Sequence, residues 1–482
     1  MKKILSLVLA LAMVLSMGLI GTAHADDSDV TLRIFLLDKP TPDDQMVTDE
    51  LTKYVFDKLG FNIELVKTDG YGSQLPLLLA SDEQMDACFD AGWMDYYNRV
   101  RTGAYAELSE LLKLTPKLVE TIPDVFWDGA KVDGGIYGVT TYKETATTWG
   151  VYCEKEFMDS VSFDYNSVDE LSDVEPLLAA LKESGDRPGF MLTNGASPTQ
   201  LVKVDMYHNF DMVAGDSSFM SVVRRTEPET VLNYYATEEY KAFVTMMNDW
   251  YNKGYIAEDV LTRTDYKEYT NAQKMGLAWF ESAPLSDYAQ TASYGKEIVV
   301  MSTSPALSET ASATGSMFCI PAKSKYQEQT IKFLELWNTD PYVKNTICYG
   351  LEGVHYTVND DGRITRAADA GEKFSGQNWT TGNSMISYVL DSEPIDKWEQ
   401  YKEFGEKAIS AVTLGFAPDT TSILDQIAMC QAAVVEYGNL LSLGTLDPEQ
   451  YLPIFLDALN ASGAEQITAE FQKQYDAWRA AK

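Results

Sequence analysis

Over residues 30–90 the apolar positions switch between two periods. Residues 30–37 are an apolar stretch that stops at Asp38-Lys39-Pro40, the pattern of a buried strand. Over residues 45–59, Val47, Leu51, Tyr54, Val55 and Leu59 share one helical face, and Gly60 supplies the stop. Residues 61–66 alternate as a second strand. Ser73 is placed to cap a short helix carrying Leu75, Leu78 and Leu79, with Pro76 tolerated in its first turn. Residues 85–90 read as a third strand. Strands alternating with helices predict a parallel, doubly wound α/β sheet, and ligands of such sheets sit outside the carboxyl ends of the strands. Asp38-Lys39 and Asp90-Ala91-Gly92-Trp93 follow two of those ends, so both are expected at one crevice.

Further along, Asp128-Gly129 to Gly138 predicts a hairpin ahead of an extended segment at 139–142. A long helical middle is expected, with apolar faces around 174–181 and 240–251 and strand-like runs at 275–280 and 298–301. Residues 302–316, rich in Ser, Thr and Ala, read as a loop or crossover before a short strand at 317–320. Helices follow at 326–337 and from Asp340-Pro341 to Gly350. Asn359-Asp360-Asp361-Gly362 is a tight turn between 356–358 and 363–364. From about residue 422 the tail is helical, with Ile427, Cys430, Val434, Tyr437 and Leu441 on one face.

The N-terminus changes the picture. Lys2 and Lys3 precede an apolar run at 4–20, and Thr22-Ala23-His24-Ala25 then offers a small-x-small cleavage site. This is the layout of a secretory signal peptide over residues 1–25. A retained anchor is the competing reading, since the run lies at the short end of the roughly 17–25 residues that span a bilayer. No cysteine lies at the site, so no lipobox is present.

At 482 residues with 45% hydrophobic and 23% charged positions, the chain can bury one or two full cores. Its formal charge of −34 disfavours nucleic acid and anionic lipid as partners. The five cysteines, Cys88, Cys153, Cys319, Cys348 and Cys430, form no CxxC pair. Two disulfides are the upper limit, and most of these residues read as small buried hydrophobes. His208 and His355 lack zinc-ligand spacing, and neither a metal nor a cofactor is expected. The turn at 359–362 lacks the bidentate Glu of a calcium loop. The G-x-S-x-G, P-loop, GxGxxG and HExxH patterns are all absent. No carboxylate pair stands out for glycoside hydrolysis.

Aromatics are the stronger signal: nine Trp, 28 Tyr and 19 Phe, most of which must be core. Trp93, Tyr142, Trp149, Trp279 and Trp379 stand beside polar residues at predicted strand ends. A sugar needs such a mixture, since its C–H faces stack on rings and its hydroxyls need fixed donors and acceptors. An acidic surface would equally suit a cationic peptide.

Three stretches carry a family resemblance. They are Tyr71-Gly72-Ser73-Gln74-Leu75 with Asp86-Ala87-Cys88-Phe89, then Asn338-Thr339-Asp340-Pro341 through Gly353-Val354-His355-Tyr356, and Gly415-Phe416-Ala417-Pro418-Asp419-Thr420 with Gly444-Thr445-Leu446-Asp447-Pro448. The chain resembles the extracellular solute-binding proteins of ABC importers, the maltose-binding-protein class, in the lipoprotein-type branch with a C-terminal domain of unassigned function. That resemblance implies a type II periplasmic-binding-protein fold, in which two α/β lobes, each a sheet flanked by helices, are joined by hinge strands. Lobe one would hold residues 28–141 and 318–362, and lobe two 142–317 and 363–482, with crossings near 139–142, near 317–320 and after the 359–362 turn. It implies a non-enzymatic, monomeric binding component outside the cell membrane or in the periplasm. The component would pass a small solute, foremost an oligosaccharide, to membrane permease subunits. A peptide or other nutrient on the same fold, or a secreted carbohydrate-active hydrolase, are the alternatives.

By the same resemblance Asp38 and Lys39 match a loop that contacts sugar hydroxyls, and Trp93 with Asp95 or Asp90 an aromatic-plus-acid pair. Lys143 or Glu144 matches a cleft acid beyond the hinge. Trp279 and Phe280 match a stacking aromatic of lobe two, and Phe416 a C-terminal one. The stretch 352–356 is a branch signature without an assigned role. The missing lipobox cysteine departs from the branch pattern and leaves open how the protein is retained.

Overall fold

The computed structural model describes residues 27–195, 197–213 and 220–482, so the expected leader over 1–25 lies outside the described residues. Strand β1 (Thr31–Leu36) runs parallel to β2 (Asn62–Lys67), in register from Thr31↔Asn62 to Leu36↔Lys67, and parallel to β3 (Ala87–Asp90) on its other side. Met317–Cys319 adds antiparallel to β3 and Gly138–Thr140 antiparallel to that, closing a five-stranded sheet. The helix Asp44–Leu59 ends where expected: Gly60 takes φ 81° and returns its N–H to the Phe56 carbonyl. The helix Tyr71–Ala80 starts earlier than expected. Gly70 takes the left-handed cap position, and Ser73 lies in the first turn, donating its hydroxyl to the Gly70 carbonyl. Around this sheet a core gathers Leu32, Ile34, Leu51, Val55, Phe89, Phe318 and Trp337.

A second core surrounds a different sheet. Thr148–Glu154 lies between Ala278–Ser282 and Ile298–Ser302, antiparallel to both. Trp149, Val151 and Cys153 point into this core with Leu177, Leu181, Phe243 and Trp250, and the C-terminal helices add Phe455, Leu459 and Phe471. The expected long helical middle is corrected here. Besides Thr148–Glu154 it contains a meander of Phe210–Met212, Ser221–Arg224 and Glu227–Asn233. The last of these strands holds Pro228 and a register shift, which hide it from a period-2 reading.

The chain passes between the two cores side by side with itself. Thr141 donates to the Ser316 carbonyl, and Thr147 and Leu307 exchange both backbone bonds. Leu307–Ser308 then pairs in parallel with Ile409–Ser410. The expected crossover at 302–316 therefore contains a short strand and a helix, Thr310–Thr314.

Part of the segment after residue 362 contacts residues that precede it in the chain. The hairpin Tyr356–Val358/Ile364–Arg366 turns the chain back, and Tyr356 and Ile364 close a small cluster with Cys348 and Tyr349. Beyond it the Ser375 hydroxyl donates to Asp38, and Asn383 Nδ2 donates to the Asn338 carbonyl. Further on, Ile409–Ser410 returns beside Leu307–Ser308 of the crossover. All five cysteines are buried and unpaired.

Candidate ligand-binding site

At the carboxyl edge of the first sheet, two tryptophans flank one buried ring. Trp93 is 57% exposed and Trp379 42%, while Phe89 between them is fully buried. Ring centroids stand 6.3 Å apart for Phe89–Trp93 and 6.2 Å for Phe89–Trp379. Each of the two indoles leaves apolar ring surface in water that burial would stabilise. Trp93 sits in a tight turn, Gly92–Met94, and its Nε1 donates to the Gly315 carbonyl at 2.9 Å. That carbonyl follows the helix Thr310–Thr314 of the crossover, so Trp93 is pinned to a segment that joins the two cores.

Asp38 and Lys39 follow β1 onto the same edge. Asp38 accepts the Ser375 hydroxyl at 2.7 and 2.8 Å and the Lys39 N–H at 2.8 Å, and Lys39 is exposed. Gln377 Nε2 donates to the Leu37 carbonyl. The segment carrying Trp379 is thereby tied alongside the loop after β1. Asp95, exposed at φ 73°, accepts from Asn98 Nδ2.

Asp90 lies beneath this edge, buried and fully bonded. It has no exposed surface and accepts four bonds: Arg99 Nε at 2.7 Å, Arg99 Nη2 at 2.6 Å, the Tyr105 hydroxyl at 2.6 Å and the Ala91 N–H at 2.7 Å. Burial raises its carboxyl above the usual range although Arg99 opposes the shift. Trp149 and Phe416 are likewise core. Trp149 is stacked on Tyr207 at 5.9 Å under the Lys203 ammonium. Phe416 is buried against Tyr475 and Trp478. In each case residues distant in sequence supply the cover.

Lys143 and Glu144 form an ion pair on the first passage between the cores, and neither is fully exposed. Tyr142 rests edge-on against Phe126 at 5.9 Å. Trp279 and Phe280 are successive residues of one strand, so alternation sends them to opposite faces. Trp279 packs at the rim of the second core, whereas Phe280 meets Tyr152 edge-on.

Sequence reasoning did not single out Glu309, Ser375, Gln377 or Lys344. Glu309 begins the crossover helix Thr310–Thr314, one short helix from the Gly315 carbonyl that holds Trp93. Burial pushes its carboxyl up to about 8 against the opposing Tyr207 hydroxyl bond, and Asp211 and Glu281 add to the rise. A carboxyl of this kind is largely protonated near neutral pH and can donate as well as accept a hydrogen bond. No linear motif marks it, since Tyr207, Asp211 and Glu281 come from separate segments. Among the described residues no group of three His, Cys, Asp or Glu is arranged to hold a metal ion.

Residues 412–480 match a family described as a domain of unknown function (DUF3502). A carbohydrate ABC transporter substrate-binding protein of Streptococcus pneumoniae serotype 4 is 25% identical over 468 residues, spanning 94% of this chain and 92% of its own length. The crystal structure of the N-glycan transport solute binding protein NgtS from Streptococcus pneumoniae superposes with a TM-score of 0.81 at 22% identity, over 93% of this chain and 98% of that one. The structure of NgtS in complex with Man5GlcNAc gives 0.68 at 23% identity, over 94% and 99%. By sequence and by fold, along nearly its whole length, the chain is a relative of the substrate-binding proteins of ABC transporters and has their two-lobed solute-binding fold.

Proposed function

We propose that the chain is the extracellular binding component of an ABC importer and that it captures a neutral oligosaccharide between its lobes. The observation that carries this reading is the pair of exposed indoles, Trp93 and Trp379, on either side of Phe89. The flat apolar faces of a pyranose stack on such rings, and Asp38, Lys39 and Ser375 stand at the same edge to meet hydroxyl groups. The substrate-binding relatives add support.

Closure would work as a population shift. An open chain exposes the tryptophans, and a ligand touching both lobes stabilises the closed arrangement by the contacts it adds from the second lobe. Membrane permease subunits would then recognise the closed surface. No covalent step is needed, and the chain acts as a carrier rather than a catalyst.

Thermal unfolding of the mature chain tests the reading against panels of oligosaccharides, peptides and polyamines. A ligand at 100 times its Kd adds about 2.7 kcal/mol to stability. A rise in Tm confined to one oligosaccharide class is the expected result. Rises only with peptides or polyamines would overturn the sugar assignment, and turnover of a chromogenic glycoside would overturn the carrier role.

A further inference from the structure

The stretch from Asn338 to Tyr356 reaches the turn that carries Trp379 through the side chains of Lys344 and Cys348. Lys344 lies in the helix Pro341–Tyr349, which Asp340 caps by accepting the Tyr342 N–H at 2.8 Å. Its side chain has no exposed surface. The ammonium donates to the Asn378 carbonyl at 3.1 Å, to the Thr381 hydroxyl at 3.3 Å and to the Thr381 carbonyl. An ammonium has three donors, and here all three end on one turn. The two carbonyls bracket Trp379, which the short turn Asn378–Thr380 presents to solvent.

Among the described residues no carboxylate is paired with Lys344. A buried, unpaired cation is expensive, and burial lowers its proton affinity. A methionine would fill the same space without that desolvation cost, so packing alone does not account for a lysine here. The surrounding bonds serve the same turn. Cys348, one helical turn on, brings its Sγ to 3.5 Å from Asn378 Oδ1 and 3.4 Å from the Thr381 hydroxyl. Asn378 Nδ2 donates to the Ser387 hydroxyl, and the Thr381 hydroxyl donates to the Gln377 carbonyl. The turn has little regular backbone bonding of its own, so its orientation is set from beneath by these side chains.

We propose that Lys344 is a positioning residue for ligand binding, its ammonium fixing the 378–381 turn so that the Trp379 ring is held against Phe89 at the sheet edge before a ligand arrives. A stacking ring already in place saves the ordering cost that binding would otherwise meet. This inference rests on the stacking role proposed for Trp379, but its structural half can be tested without any ligand.

The protein is labelled with 5-fluorotryptophan, and the Trp379 and Trp93 resonances are assigned from W379F and W93F. Lys344→Met is expected to shift or broaden the Trp379 resonance and to leave Trp93 in place, with Lys344→Gln intermediate. An unmoved Trp379 resonance in Lys344→Met would overturn the proposal. If Lys344→Met disturbs every tryptophan, Lys344→Gln is read by the same criterion. Calorimetric titration with Man5GlcNAc is the second arm. Lys344→Met should weaken binding roughly tenfold in the native background and less than about twofold in a Trp379→Ala background, since one decade corresponds to a single lost positioning contact. An equal loss in both backgrounds would refute action through Trp379. Failure of the unmutated protein to bind Man5GlcNAc counts against that cargo alone, and the fluorine result then decides the clamp.

Discussion

Removing Arg99 isolates the cost of a buried, abandoned carboxylate. Asp90 is fully buried and accepts four donors, two of which belong to Arg99. Arg99→Met keeps most of the stem volume but leaves the carboxylate with only the Tyr105 hydroxyl and the Ala91 N–H. Breaking one partner out of a buried pair costs about 3–5 kcal/mol, and the doubly bonded geometry here places the loss in that range. The assay is urea unfolding followed by a probe in the first lobe, because a two-cored chain need not melt as one unit. Asp90→Leu combined with Arg99→Met should recover at least about half of the loss, since the apolar pair leaves no charge behind. The pH dependence has a fixed sign. An acid whose folded pKa lies above its unfolded value loses stability as pH rises through the folded pKa. Burial already raises Asp90, and without Arg99 it rises further, so the cost of Arg99→Met should shrink as pH falls from about 7 to about 5. A variant within about 1 kcal/mol of the native protein, or a cost that ignores pH, would refute the reasoning.

Two further outcomes are expected. Trp93→Ala and Trp379→Ala, both exposed, should leave urea stability nearly unchanged, and each should weaken oligosaccharide binding by calorimetry. Covering about 60–80 Å² of ring face is worth about 1.5–2 kcal/mol, or one decade or more in Kd, and unchanged affinity in the double variant would remove the stacking assignment. Glu309, pushed up to about 8 by burial, binds its proton more tightly in the folded chain than in the unfolded one. The stability it contributes is full at acid pH and is lost as pH rises towards about 8, so Glu309→Gln should flatten the Tm profile over that window. A parallel profile for variant and native protein would place the titration elsewhere.

Local rules fixed much of the first lobe. The period of Val47, Leu51 and Val55, the stop at Gly60 and the cap at Asp340 each depend on neighbours within one or two helical turns, so they are visible in a linear chain. Carboxyl-end loops follow from strand order, and Asp38 and Trp93 could therefore be placed at this edge in advance. Trp379 was also named, but its place against Phe89 depends on long-range packing that no periodicity signals. Asp90 and Trp149 were named by residue type, and distant partners bury both. Their residue types suit a ligand, yet Arg99 and Tyr105 occupy the one and Tyr207 and Lys203 cover the other. Glu309 and Lys344 carry no linear mark at all, because what makes each unusual is desolvation by segments distant in sequence. Sequence by itself determined the elements, the alternation that makes the first sheet, and the residue types at its carboxyl edge. Tertiary structure alone decided which of those side chains stay in water, since burial and pairing arise from long-range packing that the order of residues does not display.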